Sequence, residues 1–260
     1  MKRLAVLAVV MVALAVSSGC TSSSSSPQAI PKKASPELAA RYNTQLAYGY
    51  MREGHMDIAQ QKLATALQQA PHLAFVHNTL AFYYEQVGDK NRADQQYKLS
   101  LQYDPNDPNT FNNYGAFLCR NGEYRASLNY FSRAAADLNY NTPDAALVNA
   151  GICALKIPDQ KLAQQYFQQS LAINSDSVQA LWQLGLLFFE QGNYSAAHSY
   201  LAHLIDADPE VPAYVLWTSI EAAWSIGDRT DAQLYGGSLL KRFPDSPEAK
   251  KYVGLIGGGQ

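Results

Sequence analysis

Helix punctuation recurs in this chain at a near-constant interval, and that interval is the tightest constraint on its fold. Turn glycines fall at Gly54, Gly88, Gly122, Gly192 and Gly227, with Pro158 in the fourth slot, so successive spacings are 34, 34, 36, 34 and 35 residues. Seven residues before each punctuator stands a small or tightly packing residue: Ala47, Ala81, Gly115, Gly151, Gly185 and, less well, Ile220. Five residues after it come Ala59, Ala93, Ser127, Ala163, Ala197 and Ala232, each followed four residues later by Leu63, Tyr97, Phe131, Phe167, Leu201 or Gly236. An offset of four puts both positions on one helix face. Each unit ends at a breaker, Pro71, Pro105, Asn139, Ser175, Pro209 or Pro244, because proline cannot continue a helix and disfavours helical geometry in the residue before it.

Units of this kind cannot bury their apolar faces alone and stack into a solenoid. The slots resemble the tetratricopeptide signature W-x2-L-G-x2-Y, A-x3-F and P, best at Asn113-Tyr114-Gly115, Leu184-Gly185 and Ala197 to Pro209. The resemblance implies an all-α fold, a right-handed superhelical solenoid of six repeats over residues 37–245. Residues 246–260 then form a capping helix and tail, with Ser246 to Ile256 helical in its first half. Hydrophobic residues make up 47% of the chain, enough for a sizeable core, and the net charge of −2 exerts no global pull on nucleic acid.

The amino terminus carries a second signal. Lys2 and Arg3 precede an apolar run from Leu4 to Val16 and then Ser17-Ser18-Gly19-Cys20, the three regions of a secretory signal peptide. The run is short for a spanning helix. Its end resembles a bacterial lipobox, with Ser17 in place of the usual leucine, which implies a signal peptide over residues 1–19 and lipidation of Cys20. Residues 20–36, with Thr21, Ser22 to Ser26, Pro27, Pro31 and Pro36, hold too little apolar surface to fold and read as a flexible tether. Thr21 beside the lipidated position resembles an outer-membrane sorting signal, so the expected location is the outer membrane, lipid-anchored and facing the periplasm.

Chemistry is sparse. His55, His72, His77, His198 and His203 form no HExxH pattern, and both close pairs are five residues apart, which predicts no metal site. No nucleophile elbow, phosphate loop or dinucleotide fingerprint occurs. The chain is read as a non-enzyme without cofactor or small-molecule substrate. Asp57, Asp89, Glu123, Asp159 and Asp228 lie near the turn punctuators, where capping explains them. Gly236-Gly237 inside a second helix reads as an allowance for close helix packing. Cys119 and Cys153 sit near the ends of neighbouring first helices, and they form either a disulfide, which an oxidising compartment permits, or two buried thiols.

Binding is expected on the concave face, lined by the first helix of each repeat. Counting along those helices puts outward slots at Thr44, Tyr48 and Met51, then at Asn78, Phe82 and Glu85. The next two repeats offer Asn112, Ala116 and Cys119, then Val148, Ile152 and Leu155. The last two offer Trp182, Leu186 and Phe189, then Trp217, Glu221 and Trp224. Aromatic side chains give large contact area, so Phe82, Trp182, Phe189, Trp217 and Trp224, together with Asn112 and Asn113, are the candidate partner-binding residues. Some of these rings would fill the inter-repeat core instead if the slot count is off by one.

In combination, the lipobox, the serine-rich tether, six repeats, the block Asn112-Asn113-Tyr114-Gly115 and the ending Leu240-Lys241-Arg242-Phe243-Pro244 resemble the type IV pilus pilotin lipoproteins, the PilF/PilW family. The resemblance implies an adaptor that binds the type IV pilus secretin and promotes its localisation and multimerisation. A periplasmic scaffold for other envelope proteins, such as peptidoglycan enzymes, would use the same repeats and anchor.

Overall fold

The computed structural model describes residues 35–257, and every element among them is an α-helix. The first repeat pairs α1 (Pro36–Arg52) with α2 (Met56–Gln69), and the second pairs α3 (Ala74–Gln86) with α4 (Lys90–Tyr103). The third and fourth are α5 (Pro108–Arg120) with α6 (Tyr124–Ala136) and α7 (Pro143–Ala154) with α8 (Gln160–Ile173). The fifth and sixth are α9 (Val178–Glu190) with α10 (Tyr194–Ala207) and α11 (Ala213–Ser225) with α12 (Arg229–Arg242). A thirteenth helix, α13 (Pro247–Gly257), packs on α11 and α12. The compact unit begins at Pro36. The signal segment, Cys20 and nearly all of the 20–36 stretch lie outside the described residues.

The punctuation works as its chemistry requires. Gly122, with φ of +87°, is typical of the turn glycines, which adopt a left-handed conformation that a side chain disfavours. Second helices end just before the breakers: α2 at Gln69 ahead of Pro71, α4 at Tyr103 ahead of Pro105, and α10 at Ala207 ahead of Pro209. Asp89, Asp159 and Asp228 cap α4, α8 and α12 by accepting from backbone N–H groups, as does Asn193 for α10. Asp107 caps α5, with Pro108 in the first turn, where the missing N–H is not needed. Glu123 occupies the corresponding position before α6 without a side-chain cap bond.

Within each repeat the small slot receives the large one sixteen residues later. A Cβ added to Gly115 would meet the Phe131 ring at 3.0 Å, one on Gly185 would meet Leu201 at 2.7 Å, and one on Gly151 would run into the Phe167 ring. The glycines thus admit rings that are essentially fully buried, Phe131 and Phe167 being 1% and 0% exposed. In the sixth repeat the pattern inverts. Ile220 is the large member and Gly236 the small one. The space over Gly236 is taken by Tyr252 of α13, so the inversion is what seats the cap.

Two sequence expectations change here. The cap is helical throughout Pro247–Gly257 rather than only in its first half, and Ser246 Oγ caps it by accepting from Ala249 N at 3.1 Å. Close packing explains Gly236 alone, because a side chain on Gly237 would meet nothing within 4 Å.

Cys119 of α5 and Cys153 of α7 are joined in a disulfide, their Cα atoms 5.9 Å apart and their sequence separation 34. The bond ties corresponding positions of consecutive repeats. Just before it on α5's neighbour, Tyr97 donates to Glu85 at 2.5 Å while Arg120 pairs with the same carboxylate. Burial and then the Glu85 charge hold the Tyr97 hydroxyl above its ordinary range, so it stays a donor.

Candidate functional site

First helices supply the inner face, and along it the two ends of the repeat array differ in what they leave open. Between α1, α3 and α5 lies a groove of about 590 Å³. Aromatic rings are part of its lining: Tyr48 of α1 stands 5.8 Å from Phe82 of α3, and Phe75 joins them. Amides are interspersed with them, Asn109 and Asn113 of α5 and Asn78, which falls between Phe75 and Phe82 on α3. Asp104 and Asp107 also line it, and Asp107 is engaged in capping α5. Arg41, another lining residue, pairs with Glu37 at 3.1 Å.

From the groove a chain of amides runs across three repeats. Asn149 of α7 donates to Asn112 Oδ1 at 3.0 Å, Asn112 donates to Asn113 Oδ1 at 3.4 Å, and Asn113 donates to Asn78 Oδ1 at 3.2 Å. Each primary amide has two donors and an oxygen able to accept twice, so a one-way chain of this kind leaves donors and acceptors to spare. Asn78 is only 6% exposed and the groove is where it meets solvent. Amides set among aromatic rings match an extended peptide: main-chain N–H and C=O groups find hydrogen-bond partners and apolar side chains find rings in the same groove.

The candidate residues read from sequence separate accordingly. Phe82 and Asn113 line the groove, and Asn112 sits one hydrogen bond behind it. Trp182, Phe189, Trp217 and Trp224 do not line it. They are half-buried against the core of the last repeats, where each has a neighbour. Trp182 meets Tyr214 at 5.2 Å and Phe189 meets Tyr194 at 5.3 Å. The Arg229 guanidinium lies 3.7 Å over Trp224, and Lys251 of the cap lies 5.7 Å from the Trp217 ring.

Other outward slots are corrected. Thr44, Met51 and Val148 are buried, and Thr44 returns its hydroxyl to Ala40 O at 2.8 Å. Residues that the counting missed are Asn109 and Asn149. The latter had a readable signal, an asparagine recurring near the repeat interval after Asn78 and Asn112.

The histidines divide as well. His77 is buried with both ring nitrogens occupied, Nδ1 with Gln96 Oε1 at 2.7 Å and Nε2 with Pro71 O at 2.9 Å, a structural role. No helix among the described residues is long and apolar enough to cross a membrane.

Comparison with known proteins agrees with this architecture. The tetratricopeptide repeat family signature matches residues 76–107 and 161–216. The chain is 26% identical over 234 residues to the type IV pilus assembly protein PilF of Pseudomonas aeruginosa, covering 90% of this chain and 92% of that one. The solved structure of P. aeruginosa PilF superposes with a TM-score of 0.71 at 25% identity, covering 85% of this chain and 99% of that one. PilW, described as a widely conserved type IV pilus biogenesis factor, superposes with a TM-score of 0.68 at 28% identity over 82% and 98% of the two chains. YrrB, a repeat protein with an unusual peptide-binding site, shares the fold at 20% identity and a TM-score of 0.54. With the sequence match covering 92% of PilF and the superposition 99% of its solved chain, the protein is a tetratricopeptide repeat solenoid similar to PilF and PilW.

Proposed function

We propose that this protein is a non-enzymatic adaptor in type IV pilus biogenesis: an outer-membrane lipoprotein, anchored through Cys20, that binds the pilus secretin and promotes its outer-membrane localisation and multimerisation. The observation that carries the reading is the groove between α1, α3 and α5, whose interspersed aromatic and amide side chains suit an extended protein segment. Similarity to PilF along 90% of the chain supports the pilus assignment.

The mechanism asks for no bond chemistry. A lipid anchor confines the adaptor to the membrane surface, and a groove that holds secretin protomers raises their local concentration where they must assemble. Phe82 and Tyr48 would take apolar side chains of the client, and Asn78 and Asn113 would meet its main chain.

The test joins the two halves of the proposal. A photo-crosslinker placed at Phe82 in cells should trap the secretin, and Cys20→Ala should leave the repeats folded while secretin multimers fail to reach the outer membrane. Trapping of a peptidoglycan enzyme instead, with normal secretin multimers in Cys20→Ala, would replace this reading with that of an envelope scaffold.

A further inference from the structure

The groove between α1, α3 and α5 holds an unanswered charge and an unused donor, and the two together describe what fills it. Its cation is already engaged: Arg41 donates to Glu37 Oε1 from Nε at 3.4 Å and from Nη2 at 3.1 Å. Its carboxylates are not matched in the same way. Among the described residues, neither Asp104 nor Asp107 has a Lys, Arg or His nitrogen within 4.0 Å. Arg133, which reaches their loop, donates to Pro105 O at 3.3 Å and lies 3.8 Å over the Phe111 ring. Asp107 is saturated by the start of α5: Oδ1 accepts from Asn109 N and Nδ2, and Oδ2 accepts from Thr110 N and Oγ1. Asp104 accepts through Oδ1 from Asn106 N at 3.3 Å, which leaves Oδ2 open to a ligand.

The unused donor is Asn78 Nδ2. Asn78 lines the groove yet is only 6% exposed. Asn113 Oδ1 accepts from Asn112, so Asn113 turns its Nδ2 to Asn78 Oδ1, and Asn78 keeps both of its own N–H groups unpaired. Its Nδ2 is not an enclosed orphan, so the small exposure that remains to Asn78 reaches this nitrogen from the groove. The chain of amides that begins at Asn149 points its donors the same way throughout, and each bond polarises the next toward Asn78. A side chain this buried with free N–H groups calls for an acceptor.

We infer that the occupant of the groove is an internal stretch of an extended chain that carries a Lys or Arg among apolar side chains. Asn78 Nδ2 donates to a main-chain carbonyl oxygen, the basic group pairs with Asp104, and the apolar side chains meet Phe75, Phe82 and Tyr48. The inference rests on the groove being the client site, as proposed above, and adds the chemistry of the client. A C-terminal carboxylate could also accept from Asn78, but it would face Asp104 and Asp107 with Arg41 held by Glu37. Like charge of that kind rejects an acidic end and selects a basic side chain.

The probe is a phage library of short peptides displayed between fixed flanks, so that none ends in a free carboxylate, selected on the full chain in detergent. Selected peptides are remade in acetylated, amidated and fluorescent form and measured by anisotropy. They should combine apolar side chains with a Lys or Arg, and bind Phe82→Ala at least about tenfold more weakly than wild type. Replacing their basic residue by Gln should weaken binding at least about fivefold to wild type but less than about twofold to Asp104→Asn, whose site is exposed. Asn78→Ala should weaken every peptide about tenfold and leave the basic preference intact. Circular dichroism checks folding, and Asn113→Ala, which removes the bond holding Asn78, takes over if Asn78→Ala is unfolded. The inference is overturned if no peptide is selected, if the selected ones are acidic or neutral, or if they bind Phe82→Ala as well as wild type. A Gln penalty that persists in Asp104→Asn, or full binding by the folded amide variant, overturns it too. The secretin crosslink at Phe82 is scored separately. Secretin trapped alongside a preference for acidic peptides sinks this inference and leaves the pilus reading standing, whereas basic peptides in the groove without trapped secretin do the reverse.

Discussion

The two ends of the inner face are built from different side chains and leave different amounts of space open. In α9 and α11 the outward slots hold Trp182, Phe189, Trp217 and Trp224, and every one of these rings is already half-covered by a neighbouring ring, a cation or the core. In α1, α3 and α5 the slots hold smaller and more polar side chains, and there a groove of about 590 Å³ stays open. Large rings on a concave surface reach each other and close it, whereas asparagines next to Tyr48 and Phe82 leave room. In the function proposed above, the aromatic end serves stability and the amide end binding.

The sharpest way to break that contrast is to cut both ends separately. Trp182→Ala combined with Trp217→Ala should cost about 2–3 kcal/mol of stability per ring, read by denaturant melts, while client capture by the folded protein persists. Phe82→Asp with Asn113→Ala should do the reverse, weakening capture of the proposed secretin client roughly tenfold or more with little loss of stability. If the tryptophan pair abolishes capture in a folded protein and the Phe82 pair does not, the assignment of the two ends is inverted.

The disulfide marks the boundary between the two regions, and its removal should be felt next. Cys119→Ser with Cys153→Ser opens a loop spanning 34 residues and should cost about 2–4 kcal/mol. Hydrogen exchange should show the loss concentrated in α5 to α8, and uniform loss along the chain would mean that the repeats unfold as a single unit.

A smaller effect refines the stability end. Burial raises the Glu221 carboxyl above its ordinary value, against a partial offset from Lys251. Because the folded value lies above the unfolded one, the contribution is favourable at low pH and is lost as pH rises through the folded value. Glu221→Gln should then stabilise the protein by about 0.5 kcal/mol or less at neutral pH, after solvent screening, with no gain near about pH 3.5. A destabilised variant at neutral pH would show instead that the Lys251 attraction dominates.

Much of the architecture was legible because repetition checks itself. Six punctuators, five small slots and six breakers agree on one register, and the helices end where those residues require. The cap was harder to read, since helix α13 lies outside the repeat pattern and its seat depends on the Ile220 and Gly236 inversion meeting Tyr252. The site was half legible. Phe82 and Asn113 were among the residues singled out, but equal weight fell on the tryptophans, because a linear count gives a slot and not its accessibility.

The sequence by itself determined the helix pairs, their number and their stacking, since helix periodicity, turn chemistry and proline act locally and recur at a fixed interval. Only the tertiary structure decided which part of the inner face is open, that Asn149 joins a chain ending at Asn78, and that His198 meets Asp228 and Asp231. Those outcomes depend on how side chains from successive repeats fill the space between them, and packing at that distance leaves no periodic mark in the chain.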